Sequence, residues 1–222
     1  FSCWLVFLLK VGWFSLVCIM FNLLKSIFNL PNFIKMCCSY YDYGPSMTVE
    51  KFMDPKLLSN LPEQIKVAKT IASSPPYGKV WLGETSSAYD SGAAGLTDRY
   101  VDGFMWLDKL GIAASLGIEV VIRQDFYGGN YGLIDTKTLD PNPDFWLSYL
   151  YNTLVGQDVL NVTVQDQSGY VRMYAHCTNT KSYIHSPIHN TILTNTIPKL
   201  NSSQFKFCDQ CHENEKVLKL FN

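Results

Sequence analysis

Residues 79–89 read KVWLGETSSAY, an apolar run that ends on a glycine and a glutamate and then breaks into small polar residues. The run 80–82 has no polar face, which is typical of a β-strand covered on both sides, and Gly83 permits a close backbone approach. Glu84 is therefore predicted at the carboxyl end of a buried strand. In parallel α/β proteins this edge gathers catalytic groups, although a local cap or ion pair explains the pattern equally well.

Helical and strand patterns alternate around this stretch. The predicted elements are a helix opening at Asp54-Pro55, the strand ending at Glu84, a helix from Thr97 or Asp98, a strand over 117–124 and a helix over 144–156. This order and these spacings are typical of a parallel α/β unit. After Gly156 the runs VLNVTVQ and YVRMYAHCTN alternate with period two, which predicts a short segment of antiparallel strands.

The helices carry predictions about single residues. Asp54 is a good N-cap before Pro55, Asp144 is placed to cap the last helix, and Gly156 is placed to stop it. The helix from Thr97 is expected to bury one apolar face, made of Tyr100, Val101, Phe104, Leu107, Leu110 and Ile112.

The composition indicates a globular protein without a polyanion-binding stripe. The 222 residues are 47% hydrophobic, and the formal net charge is −1. Scattered Lys and Arg residues argue against a nucleic-acid partner. The terminal Cys208-Asp-Gln-Cys-His212 has half the spacing of a metal site, but no second ligand pair of matching spacing accompanies it, so we expect neither metal nor cofactor.

The first 36 residues are unlike the rest, because they are almost wholly apolar. The longest run without charge, residues 11–24, is shorter than the roughly 20 residues of a membrane-spanning helix. Three interpretations remain open: a marginal membrane anchor, an interfacial helix, or a stretch that is not native to the fold. A signal peptide fits badly, because no small-residue cleavage site is apparent.

Several long strings resemble the heparanase family of glycoside hydrolases, family 79. They are KVWLGETSSAYDSGA, DGFMWLDKLGIAASLGIEVVIRQDFYGGNYGLID, LDPNPDFWLSYLYNTLVG and YAHCTNT. The resemblance covers residues 40–179. It implies the C-terminal part of a (β/α)8 TIM barrel followed by an incomplete β-sandwich, with a disulfide expected at Cys177. The implied domains are an apolar segment at 1–36, a partial barrel at 37–156, a partial sandwich at 157–200 and a polar tail at 201–222.

The resemblance also implies a reaction and a site. Members of the family are retaining endo-β-glucuronidases that hydrolyse heparan sulfate, and Glu84 falls on their nucleophile. The positions matching substrate contacts are Tyr41, Gln124, Gly129 and Tyr131. The implied partner is the glycan of heparan sulfate proteoglycans, and the implied location is the extracellular matrix or the lysosome.

The sequence departs from the family at three places. No Asn-Glu-Pro triplet, which carries the family's acid/base, occurs in the 222 residues. Ser39 stands where the family has a His, and Asp90 and Ser91 stand where it has two glycines. The chain by itself is therefore expected to be inactive, and the alternative is a non-catalytic heparanase-like fragment or binding protein, with membrane association through residues 1–36 as a further possibility.

Overall fold

The computed structural model describes residues 33–36, 39–73, 78–164, 166, 168–178, 190–192 and 205–207. The helices are α1 (Pro55–Leu58), α2 (Asn60–Ala72), α3 (Asp102–Ser115) and α4 (Pro143–Leu154). The strands are β1 (Phe33–Met36), β2 (Asp42–Tyr43), β3 (Lys79–Thr85), β4 (Ala88–Tyr89), β5 (Val121–Arg123), β6 (Val155–Leu160), β7 (Val162–Val164), β8 (Arg172–Thr178), β9 (Asn190–Ile192) and β10 (Phe205–Phe207).

A three-stranded parallel sheet forms the centre of the described region. Its strand order is β1-β3-β5, with Met36 opposite Leu82 and Leu82 opposite Val121. Helix α2 connects β1 to β3, and α3 connects β3 to β5, so parallel strands alternate with helices. The predicted α/β arrangement is confirmed. Because the strands run in parallel, the segments that follow them emerge at one edge of the sheet.

The core lies between this sheet and helices α2 and α3. Leu82 and Ile65 are fully buried in it, as are Phe52, Leu61 and Met105. Of the predicted buried face of the second long helix, only Ile112 is buried; Val101, Phe104, Leu107 and Leu110 are partly buried, and the prediction is wrong at Tyr100, which is 79% exposed. The reason is that turns occupy residues 94–101 and the helix begins only at Asp102, so Tyr100 is not on the helix.

The helix ends show one correct capping prediction and two errors. Asp54 caps α1, because its carboxylate accepts a hydrogen bond from the Lys56 amide. Asp144 does not cap α4: the N-cap is Asn142, and Asp144 lies in the first turn with its carboxylate turned to Arg123. Gly156 does not stop α4 either, since the helix ends at Leu154 and passes directly into β6.

The first predicted helix is divided in two at Ser59. The Arg172 guanidinium fills the break, donating hydrogen bonds to the Pro55 carbonyl at 3.1 Å and to Ser59 Oγ at 2.9 Å. These two acceptors belong to the first residue of α1 and to Ser59 between α1 and α2, while Arg172 is on β8. The hydrogen bonds of Arg172 therefore attach the C-terminal strands to the α/β part.

The strands after α4 are antiparallel, as predicted. β8 pairs with β6 on one side and with β9 on the other, and β7 pairs with β10. Cys177, on β8, is disulfide-bonded, and its partner lies outside the described residues.

Residues 1–32 lie outside the described residues, so the three interpretations of the apolar segment stay predictions. The same holds for Cys208–His212 and for most of the polar tail. Among the helices that the structure does describe, none has the length and apolar character that crossing a membrane requires.

Candidate active site

Glu84 is the penultimate residue of β3 and lies at the carboxyl edge of the parallel sheet. Its carbonyl accepts a hydrogen bond from the Ser39 amide at 3.3 Å, which continues the β1-β3 pairing beyond the strands. Tyr40 is the next residue, and its hydroxyl donates to Glu84 Oε1 at 3.1 Å. The parallel pairing therefore brings a tyrosine that follows one strand to a carboxylate on its neighbour.

Aromatic rings form one wall beside Glu84. The ring of Tyr40 stacks against Tyr131 with centroids 6.3 Å apart and meets the edge of Tyr89 at 6.4 Å. Tyr89 in turn lies 5.2 Å from the ring of Tyr43. Such a wall offers apolar faces edged by hydroxyl groups.

Three predicted site residues from the loop after β5 meet at this wall. The Gln124 amide donates to the Thr85 carbonyl, and Gln124 Nε2 lies 3.5 Å from Tyr131 Oη. Burial raises the pKa of the Tyr131 hydroxyl, and the nearby Glu84 charge adds to the rise. Gly129 adopts a φ of 59°, and a Cβ there would lie 3.1 Å from the Tyr131 ring.

Tyr41 occupies a different environment from the other predicted site residues. It is buried in the core, its hydroxyl has no hydrogen-bond partner within the described residues, and the Lys109 ammonium lies 4.6 Å from its ring centroid. Burial raises the pKa of Tyr41 well above its ordinary value. Tyr40, which sequence reasoning missed, faces Glu84 instead. The sequence signal that could have identified Tyr40 was the alternation of side chains, since successive residues of an extended segment point to opposite sides.

A buried ion-pair network around Arg123 holds the loop after β5, and sequence reasoning missed this network too. Arg123 donates to the Tyr131 carbonyl at 2.8 Å, and its guanidinium lies 3.3 Å from Asp102 Oδ2 and 2.7 Å from Asp144 Oδ2. The same group lies 4.6 Å from the Trp106 ring centroid. Burial raises the pKa of Asp102, as does the adjacent Asp144 charge, whereas Arg123 lowers it. The sequence signal was an acidic residue in the first turn of each of two apolar helices.

The turn after β4 has unusual backbone geometry. Asp90, Ser91 and Gly92 have φ values of 62°, 63° and 76°, so three consecutive residues are left-handed. The Ser91 carbonyl accepts from the Asn130 amide at 2.7 Å, which joins this turn to the loop of Gly129. A hydrogen bond with the Asp90 carboxylate raises the pKa of Tyr43. Asp90 and Ser91 thus hold a conformation that favours glycine, the residue type expected there from the family resemblance.

The arrangement combines one carboxylate with neutral hydrogen-bond donors. Glu84 supplies an anionic oxygen held by a tyrosine hydroxyl, while Gln124 and Tyr131 carry uncharged polar groups at the same edge. A carboxylate so placed can attack or stabilise a positively charged carbon, and neutral donors can bind hydroxyl groups.

One protein-family model matches part of the chain. Residues 21–111 match the glycosyl hydrolase family 79 N-terminal domain. The matched region begins well before Tyr40, where the resemblance read from the sequence began.

The curated relatives include glucuronidases and a protein named as inactive. The chain is 46% identical over 145 residues to a hyaluronoglucuronidase of Hirudo nipponia, which covers 64% of this chain and 30% of the relative. It is 49% identical over 144 residues to heparanase of Rattus norvegicus, covering 63% and 26%. It is 38% identical over 150 residues to inactive heparanase-2 of Mus musculus, covering 63% and 25%.

These matches support a heparanase-like protein of glycosyl hydrolase family 79. Over 64% of its length the chain is similar to heparanase of Bos taurus. It spans less than a third of the length of the curated relatives it matches.

Proposed function

We propose that this chain carries the nucleophile of a retaining endo-β-glucuronidase that hydrolyses heparan sulfate, and that Glu84 is this nucleophile. The observation that supports the proposal most directly is the contact of Glu84 Oε1 with the Tyr40 hydroxyl at the carboxyl edge of parallel strands. Three of the predicted substrate-contacting residues, Gln124, Gly129 and Tyr131, lie in the loop that closes over the same edge.

In the proposed reaction a Glu84 oxygen attacks the anomeric carbon of a glucuronate residue. The bond from that carbon to the glycosidic oxygen breaks, and a second carboxyl group protonates the departing oxygen. Water, deprotonated by the same second group, then displaces Glu84 and releases the sugar. The family's Asn-Glu-Pro triplet is absent from the 222 residues, so we place the acid/base outside this sequence.

We propose that neutral donors bind the sugar hydroxyl groups and the glucuronate carboxylate. Gln124 and Tyr131 supply side-chain donors, and Gly129 lets the backbone come close. Tyr40 joins this set because of its position beside Glu84. Tyr41 stays a predicted substrate contact, but its burial in the core favours Tyr40 for this role.

The larger architecture is part of the same proposal. The parallel strands and helices of residues 37–156 would belong to a TIM barrel, and the antiparallel strands that follow would belong to a β-sandwich. Residues 1–36 and the polar tail 201–222 would lie outside these two domains. Action on heparan sulfate proteoglycans would place the protein outside the cell or in the lysosome.

The nucleophile can be tested without the acid/base. A 2-deoxy-2-fluoro-glucuronyl fluoride needs no protonation of its leaving group, so a competent nucleophile displaces fluoride and keeps the sugar as an ester. We expect intact mass to show one added fluoroglucuronyl group, with peptide mapping assigning it to Glu84. The Glu84→Gln variant should not be labelled. Equal labelling of the two proteins would contradict the assignment.

A second candidate function is glycan binding without cleavage. It is favoured by the similarity to a relative named as inactive and by the Asp90 carboxylate in the turn beside the site. A heparin column separates the candidates, since a chain of net charge −1 without a basic stripe should elute at low salt. Retention at high salt, together with no labelling of Glu84, would favour the binding protein.

A further inference from the structure

A buried lysine lies directly beneath the edge that carries Glu84. Lys109, on α3, is 1% exposed, and its ammonium donates to the Ser39 carbonyl at 2.6 Å, to Thr85 Oγ1 at 2.5 Å and to the Ser86 carbonyl at 2.7 Å. The Thr85 hydroxyl itself donates to the Ser39 carbonyl. All three protons of the ammonium group therefore have acceptors, as a buried charge requires.

These acceptors surround the two residues that meet at the site. Ser39 immediately precedes Tyr40, and Thr85 and Ser86 immediately follow Glu84. Helix α3 thus holds the backbone on both sides of the contact between the Tyr40 hydroxyl and Glu84 Oε1.

Burial lowers the pKa of Lys109 well below its ordinary value, and the Arg123 charge lowers it further, while Asp102 and Asp108 raise it. A hydrophobic side chain of similar length would fill this place without the cost of desolvating a charge. The fold keeps the ammonium group where it can bind three acceptors at once.

We infer that Lys109 is a positioning residue, an inference that rests on the proposed function. Lys109 fixes the strand ends so that Tyr40 and Glu84 are aligned for attack. It does not contact the substrate. Its removal should slow the attack on a bound sugar and leave the hydrogen bonds of Gln124 and Tyr131 to that sugar intact. A misplacement of about 1 Å at a reacting group can cost on the order of 10²-fold in rate.

The test compares variants in the labelling reaction with 2-deoxy-2-fluoro-glucuronyl fluoride. Lys109→Met should lower the maximal labelling rate on the order of 10²-fold while the half-saturating probe concentration stays unchanged. Thr85→Val, which keeps the volume and removes one acceptor, should lower the same rate by less. Rates are compared at equal folded fraction, measured by urea denaturation.

The matched control is Tyr174→Phe. Tyr174 donates to Asp108 Oδ1 at 2.7 Å, so the variant loses a buried hydrogen bond of the same helix without touching the strand ends. It should lower the denaturation midpoint and leave the labelling rate unchanged. A wild-type rate in Lys109→Met, or an equal slowing in Tyr174→Phe, would overturn the inference.

Hydrogen exchange separates this inference from the proposed function. The amides of Ser39 and Tyr41 bond to the carbonyls of Glu84 and Ser87, so they report on the same strand ends. In Lys109→Met their exchange should accelerate, and in Tyr174→Phe it should not. If the wild-type chain takes up no label, the proposed nucleophile is wrong, and unchanged exchange at these amides would still refute the role of Lys109.

Discussion

At the scale of single residues, Asp90 is the substitution with the clearest electrostatic consequence. Its carboxylate lies in a left-handed turn that hydrogen bonds to the loop of Gly129 through Ser91. The proposed substrate carries a carboxylate, and two like charges about 4 Å apart in water repel by about 1 kcal/mol. Asp90 should therefore weaken binding of glucuronate.

We predict that Asp90→Asn and Asp90→Gly each strengthen binding of an unsulfated glucuronate-containing tetrasaccharide about five-fold, as that repulsion implies. Isothermal titration calorimetry at low salt measures the change. Ser91→Gly is the matched control, because it alters the same left-handed turn without altering charge, and its affinity should equal that of the wild type. Weaker binding by Asp90→Asn would contradict the prediction.

Tyr40 and Tyr41 show how far the sequence predicted the site. The strand, Glu84 near its end and the loop residues Gln124, Gly129 and Tyr131 could be named as candidates from the sequence, because local patterns and long matching strings mark them. The choice between two adjacent tyrosines could not, since it depends on which side of an extended segment faces the core. That side depends on contacts between residues far apart in the chain, such as the hydrogen bond from Lys109 to the Ser39 carbonyl, 70 positions away.

At the scale of elements, the Arg123 network joins three parts of the fold. The guanidinium connects β5 to the first turns of α3 and α4 and to the backbone of Tyr131. Its position explains why Asp144 is not a helix cap: a carboxylate beside a buried guanidinium gains more than one at an exposed helix end. A cap is predictable from neighbouring residues, whereas this pair requires the fold.

We predict that Arg123→Met destabilises the chain by about 3–5 kcal/mol, because Asp102 and Asp144 then remain buried without their cation. Urea denaturation measures the loss. Arg99→Met is the control: Arg99 pairs with Asp98 at 3.5 Å but is 67% exposed, so its loss should cost less than about 1 kcal/mol. Similar losses of unfolding free energy for the two variants would contradict the prediction that the buried network stabilises the chain more than an exposed ion pair.

Asp108 gives the contact between α3 and β8 a pH dependence. Burial raises its pKa from 3.8 to about 6, while Arg172 and Tyr174 oppose the rise. Because the folded chain binds this proton more tightly than the unfolded chain, the contribution favours folding below about pH 4. It is lost as the pH rises from about 4 to about 6, and the full change is about 3 kcal/mol.

We therefore predict that Asp108→Asn removes a fall in stability between pH 4 and pH 7. The free energy of unfolding, measured in urea at several pH values, should decrease with pH in the wild type more than in the variant. The difference between the two slopes isolates Asp108 from other titrating groups. Parallel curves for the two proteins would refute the assignment.

At the scale of the whole molecule, we predict that the 222-residue chain releases no reducing ends from heparan sulfate. General acid catalysis contributes a factor of roughly 10² to 10⁴, and a sugar is a poor leaving group without it. A reducing-end assay on the purified chain measures the activity. Cleavage abolished by Glu84→Ala would mean that another carboxylate, with Glu50 and Asp90 as the candidates, serves as the acid.

The contacts that align Glu84 also determine when the site can form during folding. Tyr40 and Glu84 are 44 positions apart, and Lys109 and Ser39 are 70 apart, so closing these loops costs entropy before any of the contacts is made. Helices α2 and α3 need only local contacts and can form early. A refolding chain should therefore regain its helical signal before the Ser39 and Tyr41 amides become protected, and catalytic competence would be among the last properties it acquires.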